Sequence, residues 1–350
     1  MHSSSSPSAA PRVSVLLPVY NGARYLAGAL RSVVAQSFPD WELLVVDDGS
    51  TDDSRAIAHS WDDPRIRVLA NGKNLGVARS LNRGIREARG DFIARMDADD
   101  ECFPERLREQ VRFLERHRSV CLLGTNAVSA ETGKATFRVP ANHASIRCNL
   151  LFNCSFLHPS VMWRRDVFQR YELWYEESPT AEDYDLWERT VQVLQTANLP
   201  QPLLRYRDDP AVKVSAYVRQ QKRGGRGVRM RALARLGLEP TPEEEETHHA
   251  CCFDNWEQPA IPVERVDRWL GRILVANRER QLLDPAALYR SLHLQRAYHL
   301  AKNRPPFTFR DCLRAHGPLG AVPLRFAANL LRKRIQRPEV RRPGSEVKEV

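Results

Sequence analysis

From Val13 onward, short apolar runs alternate with stretches in which apolar side chains recur every three or four residues. The runs at 13–17, 42–46, 65–69 and 92–96 are strand-length and bounded by polar clusters, which predicts strands rather than helices. Between the first two, Leu26, Leu30, Val33 and Val34 fall at helical spacing; between the last two, Leu81, Ile85 and Ala88 do the same before Gly90, a helix stop. Strand and helix in alternation predict an α/β fold with a mostly parallel sheet covered by helices.

The pattern is mixed over 120–206, with a strand expected at 160–163 and a helix beginning near Thr180 that turns Leu186, Trp187, Val191 and Leu194 inward. After residue 207 it becomes mainly helical, over 230–238, 266–275 and 288–300, interrupted by Pro240 and Pro242 and the acidic run 243–246. A boundary is expected near residue 210. Residues 1–11, rich in Ser, Pro and Ala, read as a disordered leader without the basic and apolar segments of a secretory signal, and 338–350 as a disordered tail.

Three polar clusters follow directly on predicted strands: Pro18-Val19-Tyr20-Asn21, Asp47-Asp48-Gly49-Ser50 and Asp97-Ala98-Asp99-Asp100. In an open α/β sheet they share the carboxyl edge, where ligands bind. Carboxylates as close as Asp97, Asp99 and Asp100 repel unless a cation or donors offset them, and oxygen ligands select Mg²⁺ or Mn²⁺. An acidic turn or a helix cap before Pro104 fits the same residues. Asp47 and Asp48 suit a ribose or base edge, or a plain Asp-Gly turn. Thr180 and Asp183 have capping-box spacing, which is compatible with a carboxylate kept ionised at a helix start and available as a base.

Composition narrows the classes. No stretch reaches the roughly 20 uncharged apolar residues of a membrane span, which predicts a soluble protein. Seven cysteines without an export signal predict reduced thiols in the cytoplasm. His248, His249, Cys251 and Cys252 lack the paired spacing of a zinc site. The net charge of +10 gathers in 220–235 and in the tail around Arg325, Arg332 and Arg341. Such charge attracts polyanions, yet no nucleic-acid reading motif accompanies it. Segment 319–335, apolar residues mixed with Arg and Lys, suits peripheral contact with an anionic membrane, against which Pro323 weighs. Neither G-x-G-x-x-G nor G-x-x-x-x-G-K-[ST] occurs, which excludes the dinucleotide and P-loop readings.

Taken in order, Val13 to Asn21, Val45 to Asp52, Asn74 to Ala78, Asp97 to Asp100 and the pair Glu182-Asp183 resemble the family 2 glycosyltransferases of the GT-A (nucleotide-diphospho-sugar transferase) fold over about residues 12–207. His158 to Met162 and Ala181 to Trp187 resemble the bacterial branch that builds surface polysaccharides. The resemblance implies a GT-A domain over 12–210 with a helical extension over 211–337, and an inverting enzyme. It would move a single sugar from a nucleotide-diphosphate sugar, most commonly a UDP-sugar, to a hydroxyl of a cell-envelope glycan or lipid-linked saccharide. By the same resemblance Pro18, Tyr20, Asn21, Asp48 and Asp97 hold the nucleotide-sugar, Asp99 ligates Mg²⁺ or Mn²⁺, Asp183 is the general base, and His158 and Glu182 line the acceptor side, a structural histidine before Pro159 being the other reading of His158. Arg79 sits where a cation could meet phosphate, although an arginine on a helix surface is the commoner case. The Q-x-x-R-W motif of processive members is absent. A nucleotide-sugar-binding protein without catalysis is the alternative, and the intact Asp97, Asp99 and Asp183 speak against it.

Overall fold

The computed structural model describes residues 10–135, 139–177, 181–207, 216–253 and 261–303. Strands β1 (Val13–Val19), β2 (Trp41–Asp47), β3 (Ile66–Ala70), β4 (Phe92–Arg95), β5 (Glu101–Cys102), β6 (Val120–Ser129), β7 (Met162–Arg164) and β8 (Gln195–Tyr206) form one eight-stranded sheet in the order β3-β2-β1-β4-β7-β6-β8-β5. The first four are parallel, with Leu17 opposite Val45 and Val15 opposite Ala94. β7 runs against β4 and β6, and β5 against β8. The mostly parallel α/β expectation holds, with two reversed strands beyond β4.

The helices are α1 (Ala23–Val34), α2 (Ser54–His59), α3 (Val77–Glu87), α4 (Arg106–Arg116), α5 (His143–Asn149), α6 (Arg165–Arg170), α7 (Glu182–Val193), α8 (Ala216–Arg235), α9 (Pro242–Ala250), α10 (Val263–Arg280) and α11 (Pro285–Asn303). Successive strand residues point to opposite faces. Val15, Leu17, Leu43 and Val45 therefore pack with Leu26, Leu30 and Val33 of α1 and Leu107 and Val111 of α4. Leu16, Leu44 and Ile93 pack on the other side with Leu81 and Ile85 of α3 and Leu186, Trp187 and Val191 of α7. Because both faces are covered, the strands read as continuous apolar runs, and each such buried side chain contributes roughly 1.5–3 kcal/mol. Gly90, expected as a helix stop, is also a packing requirement: a Cβ there would lie 2.5 Å from the Ser14 nitrogen.

The strand expected at 160–163 begins at Met162, because His158–Ser160 form a 3-10 turn with Pro159 in it. β6 and β8 escape the pattern analysis, since Thr125 and Asn126 in the one and Asn198, Pro200, Gln201 and Pro202 in the other break the apolar runs, and the ladder that joins them carries register shifts around Asn126. α7 starts at Glu182; Thr180, and with it the capping reading, lies outside the described residues.

The described residues divide into two compact units between Gly237 and Leu238. The boundary expected near residue 210 lies outside the described residues, as do residues 1–9 and the whole tail from 304. α8 belongs with the sheet unit. Its Arg231 pairs with Asp185 and its Arg235 with the buried Glu188 of α7, while Val228 joins the α7 side of the core. In the second unit, Pro242 is not an interruption but opens α9, where Thr241 forms a capping box with Glu244. Proline in the first turn and acidic residues at a helix start both favour this placement. Among the described residues no helix is long and apolar enough to cross a membrane.

Candidate active site

The turn after β1 and the turn after β2 are stitched together. Asn21, at φ 51°, donates its N–H to Ser50 Oγ at 3.0 Å and accepts from the Thr51 N–H at 2.8 Å. The Gly22 and Ala23 amides donate to Ser54 Oγ and Asp52 Oδ2 at 2.9 and 3.0 Å, so the first amides of α1 are already engaged. Asn21 is thus a brace between two loops. Pro18 is partly buried opposite Val46 in β2, and the Tyr20 side chain is 50% exposed.

Asp48 turns away from solvent. It accepts from Asn71 Nδ2 at 2.7 Å and from the Leu75 and Gly76 amides at 2.9 and 2.8 Å, and is 4% exposed. Its carboxylate fixes the loop between β3 and α3, and Gly49, at φ 76°, lets the chain turn beside Lys73. Any nucleoside contact made here is made on a residue whose acceptors are largely engaged.

At the end of β4, Asp97, Asp99 and Asp100 bring carboxylate oxygens within 4.8 Å of one another. Burial, then the Asp97 charge, pushes Asp99 up to about 6. Burial, then Asp97 and Asp99, pushes Asp100 up to about 9. Asp100 Oδ1 accepts from the Arg207 N–H at 2.8 Å, whereas Oδ2 is buried without a partner. An all-oxygen cluster with one orphaned buried oxygen fits a hard divalent cation. Arg207 also donates Nε to the Asp99 carbonyl at 3.1 Å, tying the end of β8 to this turn.

At the start of α7, Asp183 Oδ1 accepts from the Tyr184 N–H at 2.7 Å and Cys154 Sγ lies 3.9 Å from Oδ2. Burial, then the neighbouring Glu182 charge, pushes Asp183 up to about 7, while Arg95 acts in the opposite sense. The preceding Ala181 has φ 124°, a strained conformation for a residue with a Cβ. Glu182 is 7% exposed and reaches back toward the Ala181 N–H.

His158 does not line an open surface. It is 9% exposed, with Nε2 2.8 Å from the Tyr175 hydroxyl and its ring against Tyr175 and Trp187. Burial, then the Arg95 charge, holds it well below the usual histidine range, so it stays neutral; an acceptor reaching it would have to displace Tyr175. Arg79 is exposed and pairs with Glu177. A groove lined by Arg12, Asp91, Phe92, Arg164, Arg165 and Asp166 opens at the amino ends of β1 and β4, on the edge opposite Asp97, with Arg12 already paired to Asp91 and Glu115.

A family model described as glycosyl transferase family 2 matches residues 14–172. The putative glycosyltransferase EpsE of Bacillus subtilis (strain 168) is 35% identical over 206 residues, 57% of this chain and 74% of that protein. The chain belongs to glycosyltransferase family 2. An uncharacterized glycosyltransferase of Haemophilus influenzae is 30% identical to this enzyme over 56% of its chain and 65% of the relative's. Among solved structures, S. aureus TarS 1-349 in complex with UDP-GlcNAc is similar, with a TM-score of 0.55 at 18% identity over 93% of this glycosyltransferase and 92% of that chain. That likeness bears on the GT-A fold.

Two site residues escaped the sequence reading, Arg95 and Arg207, and Asp100, read only as a member of the acidic cluster, proves to hold its orphaned oxygen. Arg95 left a signal, an arginine in the otherwise apolar run Phe92-Ile93-Ala94, since a charge in a strand buried on both faces requires a partner. Arg207 left none, because its neighbours in space are about a hundred residues away in sequence.

Proposed function

We propose that this glycosyltransferase moves a single sugar from a nucleotide-diphosphate sugar, most readily a UDP-sugar, to an acceptor hydroxyl with inversion at the anomeric carbon. The observation that carries the reading is the acidic cluster at the end of β4, with its orphaned Asp100 Oδ2. Asp99 and Asp100 would hold Mg²⁺ or Mn²⁺, which when bound supplies Lewis-acid stabilisation to the departing diphosphate. The exposed Tyr20 ring and partly buried Pro18 offer the nucleoside a surface to stack on. Asp183 takes the proton of the acceptor hydroxyl on Oδ2, since Oδ1 is held by the Tyr184 amide. As the acceptor oxygen bonds to the anomeric carbon, the bond from that carbon to the phosphate oxygen breaks, and the nucleoside diphosphate leaves. A base pushed up to about 7 matches the operating pH of general-base catalysis.

UDP as the donor nucleotide is supported by the UDP-GlcNAc bound to the similar TarS. A cell-envelope glycan or lipid-linked saccharide as acceptor, and work at the inner face of the cytoplasmic membrane, rest on the resemblance to surface-polysaccharide enzymes. Calorimetric titration of UDP, GDP and dTDP sugars with Mn²⁺ or chelator, on the native protein and Asp99→Asn, tests the donor half. Binding that requires both Mn²⁺ and Asp99 is expected; equal binding in chelator, or none in any condition, sinks it.

A further inference from the structure

The proposed donor site leaves one guanidinium unused. Arg95 is 3% exposed, and its Nη1 and Nη2 meet Asp97 Oδ2 and Oδ1 at 2.6 and 2.5 Å, so one planar fork engages both oxygens of that carboxylate. Its main chain is held separately: the N–H donates to the Val161 carbonyl at 2.9 Å, and the carbonyl accepts from Arg106 Nη2 at 2.6 Å. Arg95 is therefore fixed by the strands beneath the turn, not by the turn itself. Its Nε, buried, has no partner.

A carboxylate bound on both oxygens by a buried arginine is a weakened ligand for a cation, because the fork occupies a lone pair on each oxygen and the guanidinium charge beside it opposes that of the ion. We infer that Arg95 is a positioning residue that withholds Asp97 from the divalent ion and leaves Asp99 and Asp100 Oδ2 as the protein's oxygens for it. The inference rests on the metal reading proposed above. Two carboxylates are few for Mg²⁺ or Mn²⁺, which commonly complete their shells with water and substrate phosphates. The free enzyme then holds the ion weakly, and the nucleotide diphosphate and the ion bind tightly only together.

Mn²⁺ binding to the full chain, followed by electron paramagnetic resonance without and with UDP, tests this in the native protein, Arg95→Gln, Arg95→Lys and the double variant Arg95→Gln/Asp97→Asn. Arg95→Gln releases Asp97 and removes a positive charge beside the ion, so nucleotide-free Mn²⁺ affinity rises about tenfold while turnover falls. Arg95→Lys, which keeps the charge but not the fork, raises affinity less. A merely structural role would weaken metal binding and turnover together. Unchanged or weaker Mn²⁺ binding in both single variants, with native circular dichroism, overturns the inference. Should the single variants not fold, the double variant decides, because two amides can replace the ion pair without net charge. Near-native Mn²⁺ affinity is expected of it, and a loss beyond tenfold shows Asp97 to be a ligand. Absence of Mn²⁺ binding by the native protein with UDP overturns the metal reading itself, which separates that failure from one confined to the Arg95 variants.

Discussion

Asp183 is held by its surroundings between two protonation states. Burial and the Glu182 charge push it up to about 7, and the Tyr184 amide and the Arg95 guanidinium oppose them. As a base it works when ionised, so turnover should rise with pH along a limb centred near 7. Asp183→Asn should lower turnover by about 10²- to 10⁴-fold while donor binding is retained, as steady-state kinetics and calorimetry would show. The effect on stability has the opposite sign from that of a salt-bridged aspartate. A folded-state value above the unfolded 3.8 means the native state keeps a proton the unfolded chain has released. That contribution is present below about 4 and lost as pH rises through about 7. Asp183→Asn should therefore gain in melting temperature relative to the native protein between pH 5 and pH 8; a difference independent of pH would contradict the desolvation argument.

The helix carrying Asp183 is steadied by another element. α8 sets Arg235 on Glu188, which is 1% exposed, and Arg231 on Asp185, which also meets Arg189 within α7. Buried Arg229 adds a bond from Nε to the Phe152 carbonyl at 2.8 Å. The Arg235 side chain is 45% exposed, so solvent screens part of its interaction. Arg235→Ala should cost about 1–2 kcal/mol, because it deprives a buried carboxylate of its counter-ion. Urea denaturation measures that loss, and a larger fall in turnover than in donor affinity would show that it is transmitted through α7. Periodicity revealed α7 and the helical character of the region after residue 207. It did not reveal that α8 packs on α7, since the pairing joins residues 46 or 47 positions apart.

At the scale of the whole molecule, the division between Gly237 and Leu238 assigns α8 to the sheet unit. A chain ending at Gly237 should remain folded and keep the donor affinity of the full chain. One ending at Arg207 should be destabilised, because it loses Arg235 from the buried Glu188, Arg231 from Asp185 and the packing of Val228. Limited proteolysis and calorimetry on the two truncations would check both statements; failure of the first to fold would mean that the second unit is required for the stability of the first.

The sequence by itself determined the α/β alternation, the strand ends that carry Asn21, Asp48 and Asp97, and the Glu182-Asp183 pair at a helix start. These follow from local periodicity and from the rule that ligands gather at the carboxyl edge of an open sheet. Tertiary structure alone decided what each polar group is free to do. Asp48 is committed to the β3–α3 loop, His158 to Tyr175, and Asp97 to Arg95, whereas Asp100 keeps an oxygen without a partner. Burial and the arrangement of charges set those commitments, and both depend on residues distant in the chain that no local pattern brings together.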